Sequence, residues 1–184
     1  MVKHIINALK QVIKGAILSD PTQAVAYYRN KGVIIGNNVK LYNVKMDARR
    51  PYLITIGNNV ILTNCRLLTH DASMFLALGY TKIGRITIGD NVFVGVDCVI
   101  LPNIRIGNNV VVGAGSVVSK DIPDDSVAVG NPLRIISSYS EFIAKHKDRL
   151  KTCPLYINHK MSAEEVELMK NDLEHTCGYS SVGK

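Results

Sequence analysis

Between Ile86 and Ser119 the chain repeats itself every six residues: ITIGDN VFVGVD CVILPN IRIGNN VVVGAG SVVS. One column of the repeat, Ile88, Val94, Ile100, Ile106, Val112 and Val118, is aliphatic at every step. The column two residues earlier, Ile86, Val92, Cys98, Ile104, Val110 and Ser116, is apolar or small throughout. A period of six does not fit an α-helix, whose 3.6 residues per turn would scatter both columns around its circumference. Short strands joined by corners accommodate it. Two alternate residues of each strand point inward, and the Gly-Asn-Asn or Gly-Asp-Asn that often follows tolerates a positive φ at the corner. So short a strand cannot bury its apolar side alone, whereas stacked coils can. The repeat therefore predicts a parallel β-helix in which like columns pile into one core. The period leaves the number of faces and the hand open.

The stretch from Ile86 through Gly113-Ala114-Gly115-Ser116, Ser119-Lys120-Asp121-Ile122-Pro123 and Val127-Ala128-Val129-Gly130-Asn131-Pro132-Leu133-Arg134 resembles the hexapeptide-repeat acyltransferases. It is close in pattern to the maltose, galactoside and polysaccharide O-acetyltransferases. The resemblance covers about residues 31–137. It implies a left-handed, three-sided β-helix with three hexapeptides per coil. It also implies acetyl-CoA as donor, no metal, and a homotrimer with a site at each subunit interface.

The rest of the chain reads as appendages to this solenoid. Residues 1–30 form an N-terminal helical segment, residues 31–137 the β-helix, and residues 138–184 a C-terminal helical tail. Over 3–18, Ile5, Ile6, Leu9, Val12, Ile13, Ala16 and Ile17 recur at helical spacing, with lysines on the other face. Packing accounts for such a helix more readily than contact with a membrane surface. Asp20-Pro21 ends it, and Ala24 to Tyr28 adds another turn. Coils begin near Gly32, are disturbed at an exposed bulge through residues 46–53, and resume with Ile56, Leu62 and Leu68 six apart. An apolar loop over 72–84 then leaves the solenoid. Near the C-terminus Ser162-Ala163-Glu164-Glu165 reads as a capping box opening a helix to about Leu173, followed by a loose tail.

No uninterrupted apolar run is long enough to span a bilayer, and lysines and His4 break up the N-terminal stretch, so a cytoplasmic protein is expected. Cys65 and Cys98 fall on core positions of the repeat and read as reduced thiols. Cys153, His159, His175 and Cys177 match no metal-site spacing. The net charge of +7 suits an anionic small molecule such as coenzyme A. The basic residues lack the aromatic interleaving of a nucleic-acid module.

Among the five histidines only His70 lies inside the repeats, in Thr69-His70-Asp71 just ahead of the loop. The polysaccharide O-acetyltransferases that this sequence resembles carry a catalytic histidine in such a segment. They also have a restart like the one here from Gly84-Arg85-Ile86 to Asn91. Imidazole suits the removal of a hydroxyl proton near neutral pH. Asp71 reads either as an orienting carboxylate or as a corner residue bonded to its own backbone. No cysteine stands in a nucleophilic context, so transfer is expected to be direct. The resemblance places Gly113 and Ala114 on the pantetheine arm, Ser119 where the family often has a cofactor-contacting Thr, and Arg134 and Lys120 near the phosphates. Two positions depart from the galactoside enzymes: Ser137 replaces a second Arg, and Phe93 a Trp.

The expected activity is acetyl-CoA-dependent O-acetylation of a saccharide hydroxyl. N-acetylation of a nucleotide-linked amino sugar and a xenobiotic acetyltransferase are the alternatives on the same scaffold. A γ-type carbonic anhydrase would need three histidines on its metal. A non-catalytic β-helix would have no use for His70 beside its loop.

Overall fold

The structure, a computed structural model, describes residues 6, 15–47, 49–157 and 161–181. The helix expected over 3–18 falls mostly outside these residues, and 15–19 are helical. The chain divides into two compact units, 1–139 and 140–184.

The first unit is a stack of coils with one strand on each of three parallel sheets. The first coil carries β1 (Ile34–Ile35), β2 (Lys40–Tyr42) and β3 (Lys45–Met46). The second carries β4 (Ile54–Ile56), β5 (Ile61–Thr63) and β6 (Arg66–Leu67). Between the second and third coils lie β7 (His70–Asp71), a short α-helix (Phe75–Leu78) and β8 (Lys82–Ile83). The third coil has β9 (Ile86–Ile88), β10 (Val92–Val94) and β11 (Val99–Ile100). The fourth has β12 (Ile104–Ile106), β13 (Val110–Val112) and β14 (Val117–Val118). The three sheets run β1-β4-β9-β12, β2-β5-β10-β13 and β3-β6-β11-β14, every pairing parallel. The second sheet continues into β15 (Ser126–Val129), which is parallel to β13, and then β16 (Arg134–Ser137), which returns antiparallel.

Both inward columns of the repeat are buried, from Ile86 and Ile88 through Ser116 and Val118. Each buried aliphatic side chain stabilises the stack by about 1.5–3 kcal/mol. Ser116 is tolerated among them because its hydroxyl donates to the Gly113 carbonyl at 2.6 Å and accepts from the Gly130 amide at 2.9 Å. The corners follow from asparagine. Asn38, Asn59, Asn91 and Asn109 all adopt φ between 52° and 56°. Their carboxamides donate up the stack at 2.9, 3.0 and 3.0 Å, so each corner is tied to the next. The offset between successive corners is 21, 32, 18 and 16 residues. The 32-residue step contains the loop.

The second coil corrects one expected register. Leu67, not Leu68, is the inward residue, paired with Met46 and Ile100. The corner at Asn64 is one residue shorter than the later ones, so Leu68 turns to the outside edge. Nor is the segment over 46–53 an exposed bulge throughout: Met46, Asp47 and Pro51 are buried, and a 3-10 turn over Pro51–Leu53 leads into β4.

Helix α1 (Pro21–Asn30) is longer than the single turn expected. Asp20 caps it by accepting from the Thr22 and Gln23 amides at 2.8 and 2.9 Å. Its buried Ala24, Val25 and Tyr28 join the core, and the Tyr28 hydroxyl donates to the Val44 carbonyl at 2.8 Å.

In the second unit, the helix Tyr139–Arg149 precedes β17 (Leu155–Ile157), which pairs in parallel with β18 (Tyr179–Ser181). The expected capping box is present: Ser162 and Glu165 bond each other's backbone amides, opening the helix Ala163–Asp172. The tail expected to be loose forms β18 up to Ser181, held by the Tyr179 hydroxyl against His146 Nδ1 at 2.8 Å.

Candidate active site

The site grows from the place where the chain leaves the solenoid. Thr69 is fully buried at the end of the second coil, and His70 and Asp71 form β7. The chain returns on β8, antiparallel, with His70 opposite Ile83 and Asp71 opposite Lys82. The apolar segment over 72–84 is thus a hairpin whose stem starts at the histidine. Leu76, Leu78 and Tyr80 are exposed on its outer part. The return is tight. Gly84 donates its amide to the Thr69 carbonyl at 3.0 Å, and a Cβ on Gly84 would lie 2.4 Å from the Asn103 nitrogen. Only glycine lets the stem lie this close to the neighbouring corner.

A buried carboxylate lies next to the histidine. Asp47 follows β3 one coil earlier, and its amide bonds the Leu67 carbonyl at 3.1 Å. Its Oδ2 contacts His70 Nδ1 and accepts from the Thr69 hydroxyl at 2.6 Å. Its Oδ1 accepts from the Arg49 amide at 2.9 Å. The Asp47 side chain is 3% exposed and that of His70 35%. Burial pushes the Asp47 carboxyl up, but the Thr69 hydroxyl, the Arg49 amide and His70 outweigh it and hold the group at about 2. Asp47 is therefore ionised at neutral pH. A carboxylate can only accept, so the proton between the two sits on His70 Nδ1, and the neutral ring has its free lone pair on Nε2.

Asp71 does not fill this place. Its Oδ1 accepts from the Ser73 amide at 2.8 Å, and this bond and the Ser73 hydroxyl hold it below the usual carboxylate range. It is the corner residue of the two readings, and Asp47 is the carboxylate on His70. The sequence carried a signal for Asp47. The first two coils are offset by 21 residues, which puts residues 46 and 47 beside 67 and 68, next to Thr69 and His70.

A pocket of about 450 Å³ opens beside the histidine. Leu68, Leu101 and Ser119, from equivalent corners of three successive coils, line it together with Pro102. His70, Asp71, Ala72 and Lys82 of the hairpin complete the lining. The structure thus brings together His70, Asp71 and Ser119. Gly113, Ala114, Lys120 and Arg134 do not line this pocket. Gly113 and Ala114 form the corner between β13 and β14, where the Gly113 amide bonds the Ala128 carbonyl at 2.9 Å. Lys120 follows Ser119, and Arg134 is exposed at the start of β16.

The two core thiols are poor nucleophiles. Burial, reinforced by Cys98, pushes Cys65 up to about 12, and burial also raises Cys98. Among the described residues no group of three or more His, Cys, Asp or Glu could hold a metal ion.

Known proteins share this architecture. The bacterial transferase hexapeptide family (six repeats) matches residues 85–120. Protein CapG of Staphylococcus aureus is 44% identical over 124 residues, which make up 64% of this chain and 72% of CapG. The chain belongs to the hexapeptide-repeat acetyltransferase family. A hexapeptide-repeat acetyltransferase of Vibrio cholerae, solved with acetyl coenzyme A, superposes with a TM-score of 0.53 at 33% identity, covering 59% of this chain and 61% of the other. A galactoside acetyltransferase solved with coenzyme A gives a TM-score of 0.53 at 37% identity, over 61% of this chain and 58% of the other. The chain thus spans about three fifths of the length of these two solved family members.

Proposed function

We propose that this chain is an acetyl-CoA-dependent O-acetyltransferase whose acceptor is a saccharide hydroxyl and whose general base is His70. The observation that carries the reading is the buried Asp47 carboxylate on His70 Nδ1, which leaves Nε2 free beside a pocket of about 450 Å³. The acceptor hydroxyl gives its proton to Nε2 as its oxygen attacks the thioester carbonyl. The tetrahedral intermediate collapses, the C–S bond breaks, and the imidazolium returns the proton to the departing coenzyme A thiolate. Asp47 keeps the ring in the required tautomer and stabilises the imidazolium. Direct transfer is supported by the raised pKa of both core thiols.

In this reading Ser119, which lines the same pocket as His70, contacts the thioester end of the donor. Gly113 and Ala114 lie along the pantetheine arm, and Lys120 and Arg134 meet the phosphates. The coil is left-handed and the assembly a homotrimer, with donor sites between subunits. An outward apolar column on the second sheet, Ile61, Phe93 and Val111 in register, supports self-association.

The test is thiol release from acetyl-CoA with a panel of glycosides, for wild type and His70→Ala. Transfer to a sugar hydroxyl that falls at least about a hundredfold in the variant supports the reading. Transfer that survives the substitution, or that goes only to amines, overturns it.

A further inference from the structure

The hairpin that delivers His70 also delivers a cation. Lys82 lies opposite Asp71 in the stem, one residue from the partner of His70, and lines the same pocket. Among the described residues its ammonium makes no hydrogen bond or ion pair. The two nearby carboxylates make their hydrogen bonds elsewhere, and Asp71 attracts Lys82 only through space. Asp47 is taken up by Thr69, Arg49 and His70, and Asp71 by the Ser73 amide. Other cations gather at this end of the coils. Arg49 and Arg50 follow Asp47, and Lys45 and Arg66 are register neighbours, both exposed, on the outer face of the sheet whose corner forms the pocket wall.

We propose that the acceptor is a saccharide carrying an anionic substituent, a carboxylate or a phosphate, held by Lys82 while the reacting hydroxyl meets His70. The proposal rests on the acetyl-transfer reading above. A neutral sugar would leave the Lys82 ammonium without a hydrogen-bonding partner among the described residues, attracted only through space by the exposed Asp71. An anion gives it a charge-assisted hydrogen bond, roughly twice as strong as a neutral one. The surrounding arginines and lysines then raise the encounter rate of an anionic acceptor. The phosphates of coenzyme A are the competing claimant for these cations. Chemistry separates the two. The thioester carbonyl must be at His70 to be attacked there, so the whole pantetheine arm lies between the base and the donor's phosphates. A cation beside the base meets the acceptor.

The experiment uses the full chain, acetyl-CoA and three probes: a methyl glucoside, the matching methyl glucuronoside and the matching methyl glucoside 6-phosphate. The expected result is a kcat/KM at least about tenfold higher for one or both anionic glycosides, with an advantage that shrinks between about 0.01 M and about 1 M salt. Lys82→Gln removes the preference by raising the KM of the anionic glycoside about tenfold while the KM for acetyl-CoA stays within about twofold, and Lys82→Arg restores it. The uronoside and phosphate arms report which anion is accepted. Equal use of the neutral glycoside, or a Lys82→Gln variant impaired in acetyl-CoA instead, overturns the proposal. If none of the three releases thiol, ligand-observed NMR with the same glycosides separates the two claims. Selective binding of the anionic ones that is lost in Lys82→Gln keeps Lys82 as the anion contact and counts against acetyl transfer to these glycosides. Equal or no binding overturns the proposal.

Discussion

The Asp47 carboxylate and the His70 imidazole meet across two successive coils, Oδ2 of the one on Nδ1 of the other, with the Thr69 hydroxyl on the same oxygen. They are 23 residues apart in sequence, and stacking of the coils makes them neighbours. Asp47→Asn removes the charge and allows the wrong ring tautomer. Acetyl transfer is expected to lose at least about a hundredfold in kcat, with the KM for acetyl-CoA nearly unchanged. Asp71→Asn, whose carboxylate caps the hairpin, is expected to lose no more than about tenfold. Steady-state kinetics of both variants, with thermal melts to confirm folding, check this ordering. A greater loss in Asp71→Asn would reverse the assignment.

The same carboxylate makes stability depend on pH. The folded value of about 2 lies below the ordinary 3.8, so the folded state binds the proton less readily than the unfolded chain. The stabilisation is complete above pH 4 to 5 and is lost as pH falls through about 2. It amounts to about 2 kcal/mol at neutral pH. Urea unfolding of wild type and Asp47→Asn should show a stability gap at pH 7 that narrows towards the acid end. A gap that does not change with pH would contradict the linkage.

Gly84 closes the hairpin against the Asn103 backbone. Gly84→Ala places a methyl 2.4 Å from the Asn103 nitrogen, and since the atom it meets is backbone, the hairpin stem must move. The expected cost is about 1–3 kcal/mol, with acetyl transfer reduced because His70, paired with Ile83, sits at the same end of the stem. A melting temperature and an activity both unchanged would show that the stem has room to give.

Asn91 sits in the middle of the corner ladder, accepting from Asn59 and donating to Asn109, each at 3.0 Å, at a φ of +56°. Asn91→Ala loses both bonds and keeps the unfavourable φ, for an expected loss of about 2–3 kcal/mol. Asn91→Gly relieves the backbone but not the lost bonds and should fall between the two. Denaturant melts of the three proteins test that order.

Cys65 and Cys98 are buried, whereas Cys153 is half-buried and Cys177 exposed. A thiol reagent applied to the native protein should modify Cys177 and, more slowly, Cys153, and leave the two core thiols unmodified until unfolding. Cys65→Ala and Cys98→Ala should retain acetyl transfer within about tenfold while losing about 1–2 kcal/mol of stability. Abolished transfer in a folded variant would argue for an acyl-enzyme.

Much of the solenoid was legible because its information is local and repeated. The two inward columns, the positive-φ asparagine corners and the interruption before Ile86 all depend on residues close in sequence. The place of His70 in the fold was legible for a related reason, since it stands where the repeat breaks. Where the coils lost their six-residue spacing, the reading slipped. At Asn64 a corner shortened by one residue exchanged Leu67 for Leu68, and over 46–53 a buried Asp47 was read as part of an exposed bulge.

The sequence by itself determined that the chain stacks short strands, which columns face inward, and which histidine stands at the break. The tertiary structure alone decided which carboxylate bonds that histidine, and that Ser119 and Lys82 line one pocket with it. The reason is physical. Hydrophobic periodicity fixes the side of the strand on which a residue lies, but a site is made from side chains on different coils. Their contacts depend on the offset between coils, which here varies from 16 to 32 residues. Only the folded stack sets that offset at each step.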